Sequence, residues 1–133
     1  MLKVLCVDDN HDAADSEAML LELYGWEVAV CYDGATALLE AANFHPDACL
    51  IDYNMPGMNG CELAQHLRAR EEGNSGYLIL VTAHAADSIA KVAVECGFDL
   101  HMVKPVDWED LTGVLAKLEG RLGSDGAATE SAF

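Results

Sequence analysis

At 133 residues, 52% of them hydrophobic and 23% charged, the chain suits one domain with its own hydrophobic core and is too apolar for a disordered polyelectrolyte. A formal net charge of −16 at pH 7 excludes non-specific attraction to DNA, RNA or an anionic membrane surface, whose phosphates would be repelled, and suits a cation or a basic protein partner. No apolar run approaches the roughly 18 residues that cross a bilayer, so neither a nucleic-acid nor a membrane partner is expected.

The chain opens with Met1-Leu2-Lys3-Val4 and no cleavage-site pattern, which predicts no signal peptide. Residues 2–7 form a near-continuous apolar run interrupted by Lys3, the pattern of a strand covered on both faces. It ends in Asp8-Asp9. Over residues 12–24, Ala14, Ala18 and Leu21 recur at helical spacing with Glu17 and Glu22 assigned to the other side, and Gly25 stops the helix. Residues 26–32 give a second strand, Asp33-Gly34 a turn, and residues 35–43 a helix of strong helix formers.

After Pro46-Asp47 a third strand, residues 48–51, runs into Asp52-Tyr53-Asn54-Met55-Pro56-Gly57, a carboxylate delivered into a Pro-Gly loop. A helix over residues 60–72 follows, with Leu63 and Leu67 inside and Arg68, Arg70, Glu71 and Glu72 in solvated last turns. Residues 73–76 are a loop, and residues 77–81 a fourth strand leading to Thr82. Residues 88–96 form a helix with Ile89, Val92 and Ala93 on one face, closed by Gly97. A weaker fifth strand, residues 98–103, precedes Lys104-Pro105, and a last helix carries Leu111, Leu115, Leu118 and Leu122 as a core stripe. The division is therefore a domain over residues 1–122 and a tail or linker stub over residues 123–133, small, polar and without periodicity.

Cys6, Cys31, Cys49, Cys61 and Cys96 are odd in number, widely spaced and free of any C-x-x-C pair. That argues against a metal or disulfide framework and for a reducing, cytoplasmic setting. His11, His45 and His66 read as surface residues, Met55 and Met58 as packing, and Trp108 as a cover for the core.

Five strand–helix alternations imply an α/β fold, a doubly wound parallel sheet with helices on both faces. Ligands bind such sheets beyond the carboxyl ends of the strands, at the switch point of strand order. Asp8, Asp9, Asp52, Thr82 and Lys104 all follow strands, so they should share one rim. Two carboxylates about 4 Å apart repel by about 4 kcal/mol at an effective dielectric near 20. A hard divalent cation, Mg²⁺ or Mn²⁺, accounts for such a grouping, whereas no His or Cys offers zinc spacing. Mg²⁺ sites of this kind serve phosphate oxygens, and a carboxylate can itself attack phosphorus. With Lys104 and the Thr82 hydroxyl for the phosphoryl oxygens, the kit suits phosphoryl acceptance. Neither G-x-x-x-x-G-K-[ST] nor G-x-G-x-x-G after the first strand occurs, so the donor should be a phosphorylated molecule other than ATP.

Val7-Asp8-Asp9-Asn10, Asp52-Tyr53-Asn54-Met55-Pro56-Gly57-Met58-Asn59-Gly60, Val81-Thr82-Ala83 and Val103-Lys104-Pro105 resemble the four signatures of the receiver domain of two-component response regulators. The resemblance covers residues 1 to about 121 and implies a flavodoxin-like five-stranded sheet of order 2-1-3-4-5, the strand order known for receivers and not read from the spacing. It implies that Asp52 is the phosphoacceptor, supplied by a phosphohistidine on a histidine kinase or a histidine phosphotransfer protein. Asp9, Asp52 and the Asn54 backbone carbonyl would hold Mg²⁺, with Asp8 acting through water. Thr82, Ala83, Asn54 and Lys104 would hold the phosphoryl group, and Lys104-Pro105 would be cis. Asn54 and His84 would tune hydrolysis. The output would be a repacking of the helix 4–strand 5–helix 5 face, which could also pair two copies as a homodimer.

The sequence departs from this pattern at His101, where the family usually has an aromatic switch residue that moves with Thr82. His101 is either a polar, half-exposed strand residue or a switch that titrates near neutral pH. The run from His101 to Asp107 is similar to receivers of hybrid sensor kinases, favouring a phosphorelay over DNA binding. On this reading the chain is not an enzyme beyond its own phosphorylation and dephosphorylation. Two alternatives stay open: a receiver-like interaction module that takes no phosphate, and an aspartyl-nucleophile phosphatase. The phosphatase class usually has an acid where Asn54 stands.

Overall fold

A computed structural model describes residues 1–70, 76–83 and 87–123. Ten elements alternate: β1 (Lys3–Val7), α1 (His11–Leu23), β2 (Glu27–Cys31), α2 (Gly34–Phe44), β3 (Ala48–Asp52), α3 (Gly60–Arg68), β4 (Tyr77–Thr82), α4 (Asp87–Cys96), β5 (Leu100–Val103) and α5 (Trp108–Gly123). The strands form one parallel sheet in the order β2-β1-β3-β4-β5, the doubly wound arrangement expected.

The apolar runs divide by the two-residue period of a strand. Leu5, Val7, Cys49, Ile51, Leu78 and Leu80 pack with Ala37 and Ala41 of α2, Leu63 and Leu67 of α3, and Ala93 of α4. Val4, Cys6, Ala48, Leu50, Ile79 and Val81 pack on the other face with Leu21 of α1 and Leu111 and Leu115 of α5. Two helical layers therefore cover the sheet, which explains why its strands read as continuous apolar runs rather than alternating ones. Met55 is buried, and Met58 and Trp108 pack against the core as expected. Leu122 differs from the rest of its stripe: it is exposed, while Leu111 and Leu115 are buried and Leu118 is partly covered.

Two further expectations need correcting. The third helix ends at Arg68 with Ala69 as its cap, short of residue 72; Glu71 and Glu72 lie outside the described residues. Arg68 belongs to no simple solvated turn: its guanidinium donates to the Gly97 and Gly76 carbonyls at 2.8 and 2.9 Å and pairs with Asp99 at 2.7 Å. Asp99 in turn accepts from the Leu78 amide at 2.8 Å, so this clasp ties α3 to the entrances of β4 and β5. The second correction concerns the cysteines. Cys61 and Cys96 form a disulfide between α3 and α4, with Cα atoms 5.4 Å apart, whereas Cys6, Cys31 and Cys49 are free and buried. Spacing along the chain carries no record of this pair, because 35 residues separate its members and packing of two helices brings them together.

Candidate phosphoacceptor site

The site forms where β1 and β3 lie side by side with their following helices on opposite faces, the switch point of the sheet. Beyond β1, the Asp8 amide still donates to the Cys31 carbonyl at 3.1 Å, so the backbone leaves the sheet one residue late. The Asp8 carboxylate accepts from the Asn10 amide at 3.0 Å, and the Asn10 side chain accepts from the Ala13 amide at 3.1 Å to cap α1. Asp8 is thereby held and buried, while Asp9 between these contacts is exposed.

Asp52 ends β3 and is buried. Its loop is pinned on both sides: the Tyr53 amide donates to the Val81 carbonyl at 3.0 Å and the Gly60 amide to the Tyr53 carbonyl at 2.9 Å. Gly57 turns the chain at φ +79°, a conformation that side chains resist. Asn59 and Glu62 then start α3 with reciprocal side chain–backbone bonds of 2.8 and 2.9 Å.

Lys104 follows β5, with its amide donating to the Thr82 carbonyl at 2.8 Å and a cis peptide bond to Pro105. Its ammonium lies 3.1 Å from Asp52 Oδ1 and 3.3 Å from Asp8 Oδ2. One carboxylate oxygen each from Asp8, Asp9 and Asp52 lies within 4.8 Å of the others. An all-oxygen, all-anionic donor set of this size fits a hard divalent cation such as Mg²⁺, and one partly exposed ammonium does not balance three carboxylates.

The local fields agree with that reading. Burial lifts Asp52 above the ordinary carboxylate range; the Lys104 bond pulls it back, and Asp8 and Asp9 push it up again. Burial works to lower Lys104, but its bonds and charge attraction to Asp52 and Asp8 outweigh that and raise it. Glu17 of α1 is pushed up to about 7, first by burial, then by Asp8, with Lys104 opposing and Asp52 adding. The expectation of Glu17 on the side of α1 opposite its apolar stripe does not hold. The signal against that was present: Ala14, Glu17, Ala18 and Leu21 stand at i, i+3, i+4 and i+7, so Glu17 lies within the inward stripe.

The remaining expected site residues divide. Asn54 and Ala83 are exposed on the same rim. Thr82 is fully buried, and its place in β4 follows the alternation of Leu78 and Leu80, on the α3–α4 side of the sheet. Asp52 and Asp8 continue the opposite alternation, that of Leu50 and Cys6, on the α1–α5 side. His101 is half-buried in β5 opposite Leu80, level with Ile51 in the register of the sheet and two strands across from the strand that carries Asp52. His84 lies outside the described residues. A groove of about 600 Å³ runs along β5 and α5, lined by His101, Val103, Pro105, Asp110, Val114 and Lys117 among others, away from the acidic cluster.

The fold and site define an α/β module with a doubly wound sheet, acids at its switch point and a lysine bridging two of them. Residues 4–116 match the family model of the response regulator receiver domain, and the chain belongs to that family. It is 35% identical over 125 residues to the sensory transduction protein RegX3 of Mycobacterium tuberculosis, a match covering 94% of this chain and 54% of RegX3. It is also 35% identical over 122 residues to the transcriptional regulatory protein PrrA of the same species, covering 92% of this chain and 52% of PrrA. The chain thus spans about half the length of these curated relatives. The fold matches Vibrio cholerae chemotaxis protein CheY4 with a TM-score of 0.82 at 28% identity, covering 89% of this chain and 98% of CheY4. Among the described residues, no helix is long and apolar enough to cross a membrane.

Proposed function

We propose that this receiver is a phosphoacceptor switch in which Asp52 takes a phosphoryl group from a phosphohistidine. The observation that carries the reading is the grouping of Asp8, Asp9 and Asp52 within 4.8 Å, with Lys104 reaching two of them. An Asp52 oxygen attacks phosphorus, the phosphorus–nitrogen bond breaks, and the imidazole nitrogen keeps the electron pair and takes up a proton. Asp9, Asp52 and the Asn54 carbonyl would hold Mg²⁺ or Mn²⁺, with Asp8 acting through water. A cation bound there supplies charge neutralisation at the phosphoryl oxygens. Lys104 holds a second oxygen, while Thr82, the amides near Asn54 and Ala83 complete the cradle. Asn54 and His84 set how long the phosphate lasts.

Because Thr82 belongs to the opposite alternation from Asp52, its turn toward the phosphate is the step that links the site to the α3–α4 side. The groove along β5 and α5, with His101 in its lining, is the partner face. The donor is a histidine kinase or histidine phosphotransfer protein, in the cytoplasm. Names such as sensory transduction protein for RegX3 accord with this role. The domain is proposed to span residues 1–122; residues 124–133, expected as a tail or linker stub, lie outside the described residues.

Incubation with Mg²⁺ and acetyl phosphate, followed by intact mass measurement, tests the reading. A labile gain of one phosphoryl group, lost in Asp52→Ala, is expected. An unchanged mass at every Mg²⁺ concentration would instead identify an interaction module that takes no phosphate.

A further inference from the structure

Of the five cysteines, only two stand where chemistry can reach them as a pair. Cys6, Cys31 and Cys49 are buried within the sheet. Burial comes first among the causes that raise their thiols, with Cys31 pushed up to about 11, Cys49 to about 12, and Cys6 also well above its usual value. A protonated, buried thiol is a poor nucleophile, so these three are inert. Cys61 and Cys96 differ in placement. Their Cα separation of 5.4 Å lies inside the range a disulfide spans without backbone movement. Cys61 is half-buried in the first turn of α3, open to an attacking or leaving thiol, while Cys96 closes α4 and is buried.

What the bridge joins gives it consequence. Cys61 follows Gly60, whose amide holds the Tyr53 carbonyl directly after Asp52. Cys96 ends the helix that follows Thr82 in the chain, and both α3 and α4 cover the sheet face to which Thr82's alternation assigns it. Arg68 of α3 bonds the Gly97 carbonyl and the Asp99 carboxylate just past α4, through exposed groups. The disulfide is a covalent link across the same seam.

We infer that Cys61 and Cys96 form a reversible redox staple which, when closed, restrains α4 against α3 and damps the response of the phosphoacceptor site. The inference deepens the phosphoacceptor reading and rests on it for its consequence, though not for its chemistry. Closure needs a disulfide of a small thiol or of a dithiol protein as oxidant. The Cys61 thiolate attacks it and expels one thiol; the Cys96 thiolate then attacks the mixed disulfide and expels the second. Two thiols of this chain lose two protons and two electrons, and the oxidant gains both as two thiols. Reduction runs the same steps backwards.

The test uses the whole wild-type chain in glutathione buffers of graded redox poise, quenched by alkylation under denaturing conditions and read by mass. In oxidising buffer Cys6, Cys31 and Cys49 should carry the label and Cys61 and Cys96 should not, with all five labelled after reduction. Labelling of all five in every buffer, or a pair other than Cys61–Cys96, overturns the inference. Amide hydrogen exchange then reads the restraint directly: residues 89–95 should exchange about tenfold more slowly in the oxidised form. Equal exchange in both forms also overturns it. Phosphorylation by acetyl phosphate should be about threefold or more slower in the oxidised form, with the redox dependence gone in Cys61→Ser. Equal rates in the two redox forms refute the damping. If neither form takes phosphate, the phosphoacceptor reading fails and with it the damping, while labelling and exchange still decide the staple.

Discussion

Gly60 is the residue through which α3 meets Asp52, and Gly60→Ala measures how closely. A Cβ there would stand 2.5 Å from the Asp52 carbonyl oxygen, 3.0 Å from Tyr53 Cα and 3.2 Å from the Asp52 carbonyl carbon. These are backbone atoms in a loop pinned by the Tyr53 and Gly60 amides, so no flexible side chain can swing aside. Overpacking costs roughly 1–3 kcal/mol, and backbone atoms as close as 2.5 Å place this substitution in the upper part of that range, about 2–3 kcal/mol. Replacing Gly by Ala in a helix returns at most about 1 kcal/mol, leaving a net loss of about 1–2 kcal/mol. For a domain of this size that corresponds to a fall in Tm of about 3–10 °C. Gly113→Ala is the matched control, since a Cβ there meets nothing within 4 Å and should stabilise by about 0.5–1 kcal/mol. The melts are run in EDTA and again with Mg²⁺. Because the displaced carbonyl belongs to Asp52 itself, Gly60→Ala should also lose part of the Mg²⁺-dependent rise in Tm. A Gly60→Ala variant as stable as Gly113→Ala would refute the close approach.

Mg²⁺ at a hundredfold excess over its Kd should stabilise the wild type by about 2.7 kcal/mol and Asp9→Asn by much less; equal shifts in both would remove Asp9 from the cation site. Glu17 carries a folded-state value raised from 4.5 to about 7, so the folded form holds its proton more tightly than the unfolded form. Its contribution is complete below pH 4.5 and is lost as pH rises through 7. In EDTA, Glu17→Gln should therefore stabilise at pH 8 by on the order of 1–3 kcal/mol and change nothing at pH 4, as urea melts at the two values would register. Lys104→Met removes the partner of two buried carboxylates and should destabilise the metal-free protein at pH 7 by about 1–3 kcal/mol, with Mg²⁺ restoring part of it; an unchanged midpoint would show the ion pair to be idle.

Much of this molecule was legible along the chain. The order of elements and the glycines at Gly25 and Gly97 that end helices with positive φ are short-range features. So was the cis peptide at Lys104-Pro105, through the resemblance of that motif. The errors share one cause. Arg68 reads as solvated along the chain because its partners Gly97 and Asp99 are 29 and 31 positions away. Glu17 reads as outward-facing by its charge rather than by its place in the inward stripe, and its neighbours Asp8 and Lys104 lie just past β1 and β5.

By itself the sequence determined an alternating α/β chain whose strands end in acids, a threonine and a lysine, because periodicity, turn residues and caps act over a few positions and need no knowledge of the rest. Only the tertiary structure decided that three carboxylates meet within 4.8 Å, that Thr82 and Asp52 continue opposite faces of the sheet, and that Cys61 finds Cys96. Those facts depend on strand order and on how one helix packs against the next, and no local pattern carries such distances.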